Sequence, residues 1–150
     1  MPSIGEELVS RFESEQQKAM LNILFTSNWL RTHHTALLAP YGLSMQQYNI
    51  LRILRGAKGE KMNMHSVKER MIDRAPNATR LTDKLLTKGL VERERCENDR
   101  RVVYIRITPK GMDMLLVLDK QMKTHWDSIH GRLSEKDART MNTSLDALRG

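Results

Sequence analysis

The sequence predicts a mainly α fold, a winged helix-turn-helix between long N- and C-terminal dimerisation helices. Three observations predict it. Helical apolar patterns occupy both ends of the chain. Two short helices joined by a tight turn lie between them, and two β-branched or charged runs around a polar turn close the middle. With 150 residues the chain is long enough to bury a sizeable core in one compact body.

From Pro2 to Pro40, Leu8, Phe12, Met20, Ile23, Leu24, Leu30 and Leu38 recur near a 3.6-residue period, so one long helix is expected. A small domain cannot cover the whole of such a stripe, and another long helix is its natural partner. Gly42 then supplies a turn, and Ser44 with Gln47 three residues on reads as a capping box. The next helix turns Tyr48, Leu51 and Leu54 inward. Asn63 caps a short helix with Met64, Val67 and Met71 on one face, and a further helix follows Pro76 with Ala78, Leu81 and Leu85 buried. Gly89 ends that helix, with Leu90 placed for the apolar contact of a glycine cap.

"LVERER" and "RVVYIRI" read as two strands around "CENDR", with Val103, Ile105 and Ile107 alternating on one face. Thr108 and Pro109 start a long helix carrying Leu115, Leu116, Met122 and Trp126. A last helix from Ser134 is expected to bury Ala138, Met141, Leu145 and Leu148. The expected organisation is an N-terminal dimerisation helix over residues 1–40, a winged helix-turn-helix DNA-binding domain over 44–110, and C-terminal dimerisation helices over 111–150, in one compact chain.

Charge separates the middle from the ends. Residues 44–110 hold 16 Lys and Arg against 8 Asp and Glu, a net +8, whereas the remainder is net −1. Basicity confined to one section favours a polyanion partner for that section. A symmetric pairing of the near-neutral flanking helices would bury their apolar stripes. Neither a run of roughly 18 apolar residues nor a secretory leader is present, so no membrane partner is expected. The single cysteine, Cys96, fits a reducing compartment, and a cytoplasmic location is expected.

On the helix after Pro76, Asn77, Arg80 and Lys84 lie opposite the buried face, with Thr79 beside them at the N-terminal end. Asn can bond adenine at two atoms, Arg does so for guanine, and a Thr methyl can touch thymine. An ordinary solvated helix face has the same composition, and the hairpin decides between the two. At its tip Asp99 stands close enough to Arg101 to aim the guanidinium, which suits a minor groove, while Arg100 suits a phosphate. Arg93, Arg95 and Arg106 along the ribbon, and Ser66, Lys68 and Arg74 ahead of the recognition helix, are assigned to the DNA backbone.

"LSMQQYNILRIL" and "NATRLTDKLLTKGLVERERCENDRRVVYIRITPKG" resemble the MarR family of winged helix-turn-helix transcription regulators, and the resemblance runs from about residue 15 to the end. It implies a triangular homodimer joined by its first and last helices. It also implies a pseudo-palindromic operator in double-stranded DNA, with repression relieved by a small effector. Asn77, Thr79 and Arg80 match the base-reading start of the family's recognition helix, and Asp99 and Arg101 match its wing pair. Pro76 departs from the Ser or Thr usual at that position and removes a backbone donor. Trp29, His33, Tyr48 and Arg52 match the region of the family's ligand cleft, and could equally be core.

Other chemistry is sparse. Family members that sense peroxides carry a cysteine in the first helix, which this chain lacks; Cys96, at the wing base, reads as a structural or incidental thiol. His33 and His34 point apart, and His125 and His130 are five residues apart, so no metal site is expected. No nucleophile–base pair or phosphate loop supports an enzyme, and no cofactor is expected. The partners expected are double-stranded DNA, a second copy of the chain and a small effector. The alternative is a winged-helix module that docks a protein and reads no bases.

Overall fold

The computed structural model describes residues 2–74 and 77–150, so the expectations placed on Pro76 lie outside the described residues. In chain order the elements are α1 (Ile4–Leu8), α2 (Glu15–Leu38), a 3-10 turn (Ala39–Tyr41), α3 (Met45–Gly56), β1 (Met62–Asn63), α4 (Met64–Arg70), α5 (Ala78–Thr87), β2 (Val91–Arg95), β3 (Val103–Ile107), α6 (Pro109–His130) and α7 (Glu135–Arg149). They fall into two compact units, Met1–Met45 and Gln46–Gly150.

In the first unit the expected single helix is two. The Ser3 amide donates to Glu6 Oε2 at 2.6 Å to start α1, and α1 ends at Val9 with φ 47°, a left-handed conformation rare for a β-branched residue. A second start follows, in which Ser14 Oγ accepts from the Gln17 amide at 3.0 Å while Gln17 Oε1 accepts from the Glu13 amide at 2.7 Å. These reciprocal side-chain bonds satisfy donors that a continuous helix would bond to carbonyls. Apolar spacing cannot register such a break, because Leu8 and Phe12 keep their separation across it. Leu38 is fully buried near the end of α2, whereas Met20 and Leu24 are 45% and 60% exposed.

The second unit is organised around α3 to β3. Tyr48, Ile50, Leu51 and Leu54 of α3 are buried, as are Met64, Val67 and Met71 of the following segment. Helix α5 buries Ala78, Leu81, Thr82 and Leu85. The sheet has three strands in the order β1-β3-β2, all antiparallel, where two were expected. The addition is β1, pairing Met62 with Ile105 and Asn63 with Tyr104. Two residues are too few to display a period of two, and Asn63 is simultaneously the cap of α4, accepting from the His65 amide at 2.9 Å. Across the hairpin Val91 pairs with Ile107 and Arg95 with Val103, which puts Val91, Ile105 and Ile107 on the buried side.

Helix α5 ends at Gly89, where φ is +69°, and the Leu90 amide reaches back to the Leu85 carbonyl at 3.0 Å. The start of α6 is fastened to this end. Thr108 Oγ1 donates to the Gly89 carbonyl at 2.7 Å, the Thr108 amide to the Leu90 carbonyl at 3.1 Å, and Lys110 Nζ to the Lys88 carbonyl at 2.9 Å. Gly111 sits so close that a Cβ there would stand 2.3 Å from the Leu90 carbonyl oxygen. Further along α6, Leu115, Leu118 and Met122 are buried, but Leu116 and Trp126 are 60% and 37% exposed. The expected burial along α7 is not found: none of its residues is buried, and Met141 and Leu148 are 46% and 55% exposed. A helical period identifies the apolar face and carries no information on what covers it.

Candidate nucleic-acid interface

The face of α5 opposite its core is built by alternation within a single helix. With Ala78, Leu81 and Leu85 inward, Asn77, Thr79, Arg80 and Lys84 are all exposed. Asn77 occupies the N-cap position, and its side chain makes no capping bond to the first turn. An amide, a hydroxyl and two cations therefore share the solvent side of one short helix, with Asn77 at its N-cap and Thr79 and Arg80 in its first turn.

The wing tip is organised by Asp99. Its Oδ1 accepts from the Arg101 amide at 3.0 Å and from Arg101 Nε at 3.3 Å, and its carbonyl accepts from the Val102 amide at 2.9 Å. The turn and the guanidinium are thus fixed by one residue, while the Arg101 side chain is 94% exposed. Arg100 is exposed beside it. Cys96 is a half-buried free thiol whose amide donates to the Val102 carbonyl at 3.0 Å, closing the neck of the turn.

Not all the wing cations are unengaged. Arg93 Nη1 donates to Asp83 of α5 at 2.6 Å, joining β2 to the helix. Arg106 Nη2 donates to Glu92 Oε2 at 2.7 Å, and this carboxylate holds the guanidinium more firmly protonated than usual. Lys61 Nζ pairs with Glu94 at 3.2 Å and lies 4.9 Å from the centre of the Tyr104 ring. Arg93 and Arg106, expected to face phosphates, therefore each have an intramolecular carboxylate partner. Arg95 is exposed, and Arg74 likewise; Ser66 and Lys68 on α4 are half-buried.

Sequence pattern alone does not single out Asp83. A lone acid on an otherwise basic helix face was the available signal, since such a group invites an internal cation. Sequence pattern likewise singles out neither Gln46 nor Asn49 of α3, and marks Gln47 only for a capping box. Asn49 Oδ1 accepts from the Ile72 amide at 2.9 Å, Gln46 Nε2 donates to Asp73 Oδ2 at 2.8 Å, and buried Gln47 directs Nε2 to the Leu81 carbonyl at 3.4 Å.

Of the four residues matched to a ligand cleft, two lie in each unit. On α2 the Trp29 and His33 rings are 4.5 Å apart, with His33 Nδ1 2.9 Å from the Trp29 carbonyl. On α3 the Arg52 guanidinium lies 5.8 Å from the Tyr48 ring centre. Burial raises the Tyr48 phenol above its ordinary value of 10.0, with Asp119 adding to the rise and Arg52 and Arg55 opposing it. Arg55 is itself ion-paired to Asp119 of α6. Trp29 and His33 belong to the first unit, Tyr48 and Arg52 to the second. Among the described residues no group of three or more His, Cys, Asp or Glu is placed to hold a metal ion. No helix of the described residues is long and apolar enough to cross a membrane.

Comparison with known proteins adds family and fold. The sequence profile of the MarR family matches residues 43–103. A MarR transcription factor from Planctomyces limnophilus, known from its crystal structure, is 31% identical over 91% of this chain and 99% of that chain, with a TM-score of 0.71. NadR, solved in complex with 4-hydroxyphenylacetate, shares the fold at 20% identity and a TM-score of 0.67, covering 99% of this chain and 97% of that chain. The transcriptional repressor MprA of Escherichia coli (strain K12) is 44% identical over 39 residues, which span 26% of this chain and 22% of that protein.

Proposed function

The chain belongs to the MarR family, and from that premise we propose that it is a homodimeric transcription regulator that reads a pseudo-palindromic operator in double-stranded DNA, acting as a repressor in the cytoplasm. One observation carries the reading: the exposed Asn77, Thr79, Arg80 and Lys84 side of α5 and the Asp99-aimed Arg101 belong to one body, linked by the Arg93–Asp83 bond. Asn77, Thr79 and Arg80 read base edges in the major groove, with Lys84 further along the same face. Arg101 enters the adjacent minor groove, and Arg100, Arg95, Arg74, Lys68 and Ser66 hold phosphates.

The repressor role is supported by the name of the MprA relative. Dimerisation is supported by the exposed apolar residues of the terminal helices, among them Leu24, Leu116, Met141 and Leu148, which a second copy would take out of water. A small effector that relieves repression is supported by NadR, whose structure holds 4-hydroxyphenylacetate. Trp29 with His33 and Tyr48 with Arg52 are the candidate effector contacts, each pair in its own unit.

In-vitro selection of duplexes on the purified protein tests the reading. A palindromic consensus is expected, and fluorescence anisotropy should give an affinity that falls with salt by about −0.9 in log–log slope per phosphate neutralised. Equal affinity for all duplexes of one length would overturn base reading and leave a protein-docking module.

A further inference from the structure

Helix α5 presents its base-reading residues from its first turn, so their aim depends on what holds the approach to that turn. The approach is held from α3 by three polar side chains. Asn49 Oδ1 accepts from the Ile72 amide at 2.9 Å, and Gln46 Nε2 donates to Asp73 Oδ2 at 2.8 Å. Gln47, 3% exposed, reaches the Leu81 carbonyl inside α5 itself at 3.4 Å.

These contacts are unlike ordinary core packing in two respects. The Ile72 side chain is 90% exposed, so burial of that side chain does not hold the segment, and its amide is held by a directional bond. The partner that accepts it, Asn49, lies on the same α3 face that supplies Gln46, three positions earlier and one helical turn away. A helix of 12 residues with a buried apolar side thus spends three of its early positions on neighbouring polar groups.

We propose that Asn49, with Gln46 and Gln47, is a positioning residue for sequence reading: it fixes residues 72 and 73 ahead of α5, and so the register in which Asn77, Thr79 and Arg80 meet base edges. The inference rests on the DNA-reading function proposed above. None of the three touches bases in this scheme; they act through the backbone of residues 72 and 81 and the side chain of Asp73. Loss of the Asn49 acceptor leaves the phosphate contacts in place and loosens the geometry on which bidentate base bonds depend. Discrimination therefore falls while the salt dependence is kept.

The test uses full-length protein, the duplex selected in vitro on the wild type, and a shuffled duplex of the same composition. Asn49→Leu deletes the acceptor at similar size, and Asn49→Asp keeps it. For Asn49→Leu the ratio of selected to shuffled affinity is expected to drop roughly three- to tenfold, the scale of one hydrogen bond, with the salt slope unchanged. Asn49→Asp is expected to restore most of the ratio. Hydrogen exchange at the Ile72 amide, which needs no DNA, should accelerate in Asn49→Leu and not in Asn49→Asp.

A wild type that does not discriminate overturns the base-reading function and the positioning role with it. A discriminating wild type whose Asn49→Leu variant discriminates equally well overturns the positioning role alone. Equal losses on both duplexes also overturn it, because they signal general destabilisation. Gln46→Leu, which removes only the exposed bond to Asp73, guards against misfolding; a smaller loss of the ratio in the same direction is expected, and no loss counts against the cluster.

Discussion

Arg93 of β2 donates to Asp83 of α5 across 2.6 Å, a bond between the wing and the helix that carries the candidate base-reading face. It removes the one acid of that face from competition with phosphate and sets the wing against the helix at a defined place. Both side chains are partly exposed, 34% and 54%, so solvent screens the pair. A double-mutant cycle with Arg93→Ala and Asp83→Ala, followed by urea unfolding, is expected to give a coupling of about 0.2–1 kcal/mol. On DNA the two changes should differ in kind, because Asp83→Ala removes a negative charge from the interface and Arg93→Ala exposes one. Arg93→Ala should weaken binding more than Asp83→Ala in the same titration.

The two arginines of the proposed reader are expected to fail in different ways. Arg80→Ala should relax base preference by about 1–3 kcal/mol at one step of each half-site, visible as a flattened position in a repeated selection. Arg101→Ala should lower affinity without altering the major-groove positions of the consensus. An Arg101→Ala consensus that changed at the positions read by α5 would contradict the separation of grooves.

Gly111 makes a stability prediction that is independent of DNA. A methyl group there meets the Leu90 carbonyl oxygen at 2.3 Å and Ile107 Cγ1 at 2.7 Å, and the first of these is backbone. Gly111→Ala is therefore expected to destabilise by about 1–3 kcal/mol, the usual range for overpacking, measured as a lower urea midpoint. Gly56→Ala, where a Cβ meets nothing within 4 Å, should cost far less.

Alkaline stability should depend on Tyr48. Its phenol is raised above 10.0 chiefly by burial, so in the window just above pH 10 the unfolded chain has lost this proton while the folded chain retains it. Stability from this group is complete below pH 10 and falls as pH rises through the folded value. Tyr48→Phe should flatten that part of the profile, measured as unfolding free energy against pH. An unchanged slope would mean that the phenol titrates in the folded chain as it does in the unfolded one.

Much of the architecture was legible because local chemistry and global fold agree. Gly89 with Leu90, Thr108 with Pro109, Asn63 and Ser134 each marked an element end by a bond that depends on that residue type. Val91, Ile105 and Ile107 alternate as a half-buried ribbon should. Three things were hidden, each for its own reason. The break between α1 and α2 comes from Ser14 and Gln17 bonding locally, beneath a hydrophobic period that runs on. Strand β1 is two residues long, and only its long-range partner β3 defines it. The bonds from Asn49 to Ile72 and from Arg93 to Asp83 join residues 23 and 10 positions apart, and no spacing rule announces polar contacts of that kind. The face of α5 could be proposed from residue type and helical spacing, but which of the wing's cations were already engaged became visible only in three dimensions.

The fastening of Thr108 to Gly89 and Leu90 has a consequence for how such a protein can diverge. The hairpin leaves α5 and returns to α6 through one closed neck, bonded at Thr108 and paired from Val91 to Ile107. Beyond the Arg95–Val103 pair the tip is held by bonds within itself, from the Cys96 amide to Val102 and from the Arg101 and Val102 amides to Asp99. Residues inserted or removed near Glu97 and Asn98 would change how far the wing reaches while the seat of α5 stays as it is. A lineage can therefore retune one arm of the molecule in small steps and keep the other, so that reach and readout vary as separate traits.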